Sequence, residues 1–202
     1  MIISHTKGRG KKIHLLIDNE YKITTDIDFW AEHYIKDGTE IDEDTWEKLV
    51  TDINYKKAVN KCYDLLSRRD HSVKELRTKL LRTVDEISAD KAIERMLELG
   101  YLDDEKYALK LLDYLINNKN MSRSFIKKEM FKRGVPQDII LEVMYDAEID
   151  NVSSVKELIL TKYRNKLNAE NGYDKTVAAL MRKGFSYSDI KTAFNEIEND
   201  EF

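Results

Sequence analysis

The spacing of apolar and polar residues changes character along the chain. Lys12 to Ile17 (KIHLLI) is a short apolar run, Asp18-Asn19-Glu20 is turn-forming, and Tyr21 to Thr25 (YKITT) is rich in β-formers. Together these predict a β-hairpin. A helix is predicted over Asp28–Lys36 (DFWAEHYIK), ended by Asp37-Gly38, because glycine suits the residue after a helix C-terminus. A second helix is predicted over Asp42–Asp52. It opens with an acidic turn that suits the positive end of the helix dipole and carries Trp46, Leu49, Val50 and Ile53 at helical spacing.

From Tyr55 onward the apolar period is that of a helix. Three blocks resemble one another, at about 55–102, 103–149 and 150–202. Each opens with a long amphipathic helix: Ala58, Cys62, Leu65 and Leu66 in the first, Tyr107, Leu111, Leu112 and Leu115 in the second, Val155, Leu158, Ile159 and Leu160 in the third. A short capped helix follows, with Ser72 (in a Ser-x-x-Glu capping box), Ser122 and Asp174 as N-cap residues. It ends in Arg82-Thr83-Val84, Arg133-Gly134-Val135 or Lys183-Gly184-Phe185, a stop followed by an apolar plug, with Thr83 where the other blocks have glycine. A third helix closes each block, carrying Ala92, Ile93, Met96 and Leu97, then Ile139, Ile140, Val143 and Met144, then Ile190, Ala193, Phe194 and Ile197. The expected fold is mainly α: three tandem three-helix repeats in an elongated array, preceded by an N-terminal extension, residues 1–54, of a β-hairpin and two short helices.

With one Pro and seven Gly among 202 residues, few positions force a break, which favours helices. The lone Cys62 lies in an apolar-periodic run and is expected as a small core side chain. The start, MIISHTKGRGKK, lacks the apolar stretch of a signal peptide, and no later run approaches a membrane span, so a cytoplasmic protein is expected. There is no phosphate-binding glycine loop, no HExxH, and no Cys/His cluster. Acidic pairs such as Asp103-Asp104 sit at helix starts, where capping explains them. No enzyme, metal or cofactor is expected. Most of the eleven tyrosines fall on apolar helix faces and are expected in the core, Tyr173 and Tyr187 excepted.

The first block reads SRRDHSVKELRTKLL and ends MLELGYLDDEKYA; the second closes its short helix with KRGV, the third with RKGFSYSDI. This order of elements resembles the RecX family over about residues 55–198. Several of its letters have a physical reading as caps and stops: Asp70 and Ser72 open a helix, Gly100 ends one, and Asp103 caps the next. What the resemblance implies is a monomeric regulator of homologous recombination and the SOS response. It would bind RecA assembled on single-stranded DNA, with DNA contact secondary, and restrain filament extension, ATP hydrolysis and strand exchange.

Charge locates the candidate contact surface. Residues 1–50 hold 7 Lys/Arg and 11 Asp/Glu, while the remaining 27 and 27 balance. A protein living on phosphate contacts is usually basic, so the balance favours a protein partner and local basic faces. Two clusters lie at matching places on the short second helices of the first two blocks. They supply Arg68, Arg69, Lys74 and Arg77, then Lys119, Arg123, Lys127, Lys128 and Arg133; Lys183 continues the series in the third block. The alternative is a direct DNA-binding protein built of tandem helical modules.

Overall fold

Four strands open the chain in this computed structural model, which describes residues 1–200. β1 (Ile2–Lys7), β2 (Lys12–Ile17), β3 (Glu20–Asp26) and β4 (Thr39–Glu40) form one antiparallel sheet in the order β3-β2-β1-β4. The expected hairpin is β2–β3, turned by Asp18 and Asn19 at φ of 50° and 66°, a left-handed backbone that short polar residues tolerate. β1 escapes a reading by apolar pattern because Ile3 is its one buried residue. Along β2 the alternation is regular, with Ile13, Leu15 and Ile17 turned inward. They share a core with Phe29 and Trp30 of α1 (Ile27–Glu32) and Leu49 and Ile53 of α2 (Glu43–Leu66).

Two helix boundaries differ from expectation. α1 stops at Glu32, four residues early: the His33 ring stacks on Phe29 at 4.0 Å with its Nδ1 3.0 Å from the Phe29 carbonyl oxygen. A side chain that takes up a terminal carbonyl ends a helix. The helices expected on either side of residue 54 are one, α2. Nothing in Asp52-Ile53-Asn54 breaks a helix, and the same rod lends Leu49 and Ile53 to the sheet core and buries Ala58 and Cys62 further along. Burial pushes the Cys62 thiol up to about 11, so it behaves as a core side chain.

The chain divides into two units, one of residues 1–69 and 76–101, the other of residues 70–75 and 102 onward. In the first, α2 packs on α4 (Glu86–Glu98), whose Ala89 and Ala92 are fully buried and let the helices approach. α3 (Val73–Leu80) buries Leu76 and Leu80. The second unit holds two three-helix blocks. α5 (Asp104–Asp113) runs into a π-helical turn at Tyr114–Asn118 and is followed by α6 (Arg123–Lys132) and α7 (Gln137–Tyr145). α8 (Asn151–Leu158) runs into a π-helical turn at Ile159–Tyr163 and the short α9 (Arg164–Leu167), followed by α10 (Gly172–Arg182) and α11 (Tyr187–Asp200). Ile126, Met130, Val135, Ile140 and Val143 are buried, and fifty positions on so are Thr176, Leu180, Phe185, Ile190 and Ala193. Burial thus repeats where the sequence pattern does. No helix of the described residues is long and apolar enough to cross a membrane, and among them no group of three His, Cys, Asp or Glu is placed to hold a metal.

One hydrogen-bonded joint recurs. Buried Ser72 accepts from the Glu75 amide at 3.1 Å, as an N-cap does, and donates to the Arg133 carbonyl at 2.6 Å. Buried Ser122 accepts from the Phe125 amide at 3.2 Å and donates to the Lys183 carbonyl at 3.1 Å. Each serine therefore ties the start of one short helix to the end of the next. Gly134 and Gly184 sit at those ends with φ of 83° and 85°, and a Cβ would stand 2.8 and 2.5 Å from the respective serine oxygens. Thr83 closes the first block differently, its hydroxyl donating to the Leu80 carbonyl at 3.0 Å. Asp174 is not an N-cap. α10 starts at Gly172 after Asn171 at φ 57°, and a Cβ at 172 would run into the Lys166 carbonyl oxygen, so glycine stands where the other blocks have serine.

A second joint runs alongside. Asp103 and Asp150 cap α5 and α8, and the residue after each turns back to the preceding short helix. Asp104 accepts from the Val73 amide at 2.9 Å; Asn151 accepts from the Arg123 amide at 3.1 Å. Half-buried Asp104 has its carboxyl raised above the ordinary aspartate range, first by desolvation and further by the Asp103 charge, against the Val73 hydrogen bond.

These joints lead to two expected outcomes. Gly100, at φ 71°, has open space around its missing Cβ, whereas Gly184 faces Ser122. Gly100→Ala is expected to cost roughly 1–2 kcal/mol from backbone strain alone, and Gly184→Ala at least about twice that. Urea unfolding compares them, and equal losses would show that the serine joint does not demand glycine. Asp104→Asn keeps the acceptor, as Asn151 already does, and removes a charge held above its ordinary pKa. A raised folded pKa costs stability where the group is ionised, and that cost fades as pH falls through it. The variant is expected to exceed the parent in stability at pH 7, with the gap closing toward about pH 4; a gap independent of pH in thermal unfolding would refute the titration account.

Candidate partner-binding site

α6 shows how the local sequence builds a cationic face. Ile126 and Met130, four apart, turn into the core. Lys127, Lys128 and Lys132 are left exposed to solvent. On α7, Ile140, Val143 and Met144 are buried, while Leu141 and Tyr145 stand out with 54% and 88% of their surfaces exposed. Between these helices and the start of α11 lies an open groove of about 550 Å3, with Ile140, Leu141 and Met144 forming apolar wall, Lys127 and Tyr145 on it, and Asp189 at the α11 side. Lysines beside exposed large apolar side chains make a surface suited to a protein partner with carboxylates near apolar groups.

The ten cations singled out by sequence fall into two sets. Several hold the fold. Arg77 bonds Asp90 through Nε at 2.6 Å and Glu86 through Nη2 at 2.5 Å, hydrogen bonds that raise its pKa further. Arg123 reaches the end of α7, donating to the carbonyls of Met144 and Ala147, where a cation opposes the negative dipole end. Half-buried Arg133 donates to Glu129 at 2.9 Å, one helical turn back. Arg68, exposed, pairs with Asp64 at 2.7 Å, and Arg69 is exposed on the link between α2 and α3. Asp70, read as a helix-opening residue, pairs with Lys110 at 2.7 Å.

The others present charge. Lys74 lies over the Phe131 ring at 5.8 Å and Lys119 over the Tyr114 ring at 5.4 Å. The Lys183 ammonium donates to the Lys119 carbonyl at 3.3 Å. Burial, then the charges of Lys162 and Lys119, lower the Lys183 pKa. Three cations thus crowd one place, and an incoming anion relieves their repulsion. Lys127 and Lys128 are exposed on α6. The structure therefore brings Lys119 and Lys183 together with Lys162, and sets Lys127 on the groove.

Sequence reasoning missed Lys162, which lies on the π-helical turn, and the apolar half of the groove. The tyrosines are also corrected: Tyr107 and Tyr163 are buried, but Tyr21, Tyr34, Tyr63, Tyr101, Tyr114 and Tyr145 join Tyr173 and Tyr187 at the surface. A phenol keeps its hydroxyl in water while its ring lies along a helix, so apolar spacing alone does not bury it.

Comparison with known proteins adds identity to this geometry. A family model described as "RecX, first three-helix domain" matches residues 58–96. "Regulatory protein RecX" of Caldanaerobacter subterraneus subsp. tengcongensis is 30% identical over 193 residues, covering 94% of this chain and 95% of that protein. The protein of the same name from Clostridioides difficile is 25% identical over 99% of this chain and 96% of its own length. That of Bacillus subtilis is 27% identical over 98% of this chain and 78% of its own length. Two solved structures share the fold. A regulatory protein RecX superposes with a TM-score of 0.62 at 19% identity, covering 96% of this chain and 98% of that one. RecX from Lactobacillus salivarius gives 0.60 at 23%, covering 72% and 97%. The mainly helical fold, with its small N-terminal sheet and three-helix repeats, and the extent of the match agree: this chain belongs to the RecX family of regulatory proteins.

Proposed function

We propose that this protein regulates homologous recombination and the SOS response by binding RecA assembled on single-stranded DNA, restraining filament extension, ATP hydrolysis and strand exchange. It acts by binding and not by catalysis, as a cytoplasmic monomer with the filament as its chief partner and DNA as a secondary contact. Membership of a family named for regulation supports the role. The observation that carries the surface is Lys127 of α6 on the groove walled by exposed Leu141 and Tyr145 of α7, with exposed Lys128 next to it in sequence. Lys119 and Lys183 are further candidate contacts in the second unit, and Lys74, Arg68 and Arg69 are candidates in the first block, each taken by itself. Arg77, Arg123 and Arg133 support this surface by holding the helices that carry it.

A net charge of −4 counsels against reading the protein as a free DNA binder. The groove wall points the same way, since phosphates gain nothing from leucine. Tight binding to single- or double-stranded DNA in a gel shift without RecA would favour the direct DNA-binding alternative.

The test is inhibition of RecA's DNA-dependent ATPase. The parent protein is expected to inhibit. Lys127→Glu with Lys128→Glu is expected to raise the half-inhibitory concentration about tenfold or more, equivalent to ~1.4 kcal/mol of binding. Both positions are exposed, so folding is expected to survive. A parent protein with no effect on RecA sinks the function, while full potency in the folded double variant sinks the assigned surface alone. Steep loss of potency with salt would add phosphate contacts to the interface.

A further inference from the structure

A second groove lies in the third block, apart from the lysine face. It measures about 480 Å3 and is walled by Ile159 and Leu160 of the π-helical turn, Leu167, Tyr173 and the Phe194–Ile197 side of α11. Arg164 and Glu198 stand on its rim. Leu160 is 44% exposed and Tyr173 43%, so large apolar groups face solvent.

The second block indicates what such a groove accommodates. Its matching positions lie fifty residues earlier: Arg123 for Tyr173 and Met144 for Phe194. There the helix ends at Tyr145 and the chain continues without helix or strand through Ala147, Glu148 and Ile149. Ala147 and Ile149 are half-buried against the block's core, and Arg123 holds the Ala147 carbonyl at 3.2 Å. A non-helical strip, apolar at alternate residues with an acidic residue between, therefore covers this side of the block. In the third block α11 instead stays helical through the matching positions to Asp200. Tyr173 replaces the arginine, and its ring packs on Phe194 at 4.8 Å. No strip crosses this side of the block among the described residues, and its apolar wall is left open.

We propose that this groove docks an extended segment of a protein partner, with apolar side chains two residues apart and an acidic residue between them. The two apolar groups seat against the open wall of Leu160, Tyr173 and Phe194, and Arg164 meets the acidic group. The apolar wall separates this occupant from a nucleic acid strand, whose phosphates gain nothing from it. The proposal is independent of RecA.

The probe is a synthetic peptide with the sequence of Met144–Val152 (MYDAEIDNV), titrated into the full chain and followed by NMR. Saturable shifts are expected at Leu160, Tyr173 and Phe194. Leu160→Asp, at an already exposed site, is expected to weaken binding about tenfold or more. A peptide with serine in place of both Ala147 and Ile149 is expected not to bind. Absence of shifts at millimolar peptide, or equal binding by Leu160→Asp, would overturn the proposal. So would shifts that appear with protein concentration alone, which would assign the groove to a second copy of the chain.

Discussion

A serine hydroxyl can accept one hydrogen bond and donate another, and the repeated blocks depend on both being used at once. Ser72 and Ser122 cap the short helices they precede and donate to the carbonyls that end the next short helices. Both serines are fully buried, where an unmet hydroxyl or carbonyl costs on the order of 1–3 kcal/mol. The bond also dictates its neighbour. The carbonyl can approach only if the following residue takes a left-handed backbone and carries no Cβ, which is the case for Gly134 and Gly184. One short helix is thus fixed against the next by a serine and a glycine lying some sixty residues apart in sequence.

This coupling explains which parts of the chain were legible. Ser72, Ser122, Gly134 and Gly184 could be read as caps and stops because capping is local. That the caps of one block seal the stops of the next is not local, and neither residue carries a sign of it. The β-hairpin was legible for the same reason, since alternation and a turn suffice; β1 was not, with a single buried residue to mark it. α2 was split at Asn54 because a helix shared between two cores shows its apolar face to different partners along its length. Asp174 failed as a cap because the approach of residue 172 to the Lys166 carbonyl requires glycine there, a constraint set by backbone outside the motif.

The candidate surface was legible as charge and not as purpose. A row of cations on a short helix says nothing about which will be consumed by the fold. Arg77 and Arg133 find carboxylates, and Arg123 finds the exposed carbonyls at the end of α7. The three are arginines, whose planar fork can meet two acceptors at once, and the exposed candidates on α6 are lysines. The groove wall had no charge signature, and Leu141 and Tyr145 read from spacing as ordinary members of an amphipathic helix.

Repetition also sets limits on how far one block can stand for another. The second and third blocks bury the same positions fifty residues apart, yet differ at their C-terminal ends. Serine at 122 needs a carbonyl to receive its proton; glycine at 172 turns instead toward the backbone of its own block. Arginine at 123 needs carbonyls freed where α7 ends; at 173, beside a helix that continues, those carbonyls stay within α11 and an aromatic ring is the better neighbour. The second of these substitutions depends on whether the third helix of the block stops or runs on. The shared core therefore keeps the blocks alike, and the ends of their third helices decide which surfaces each leaves open to a partner.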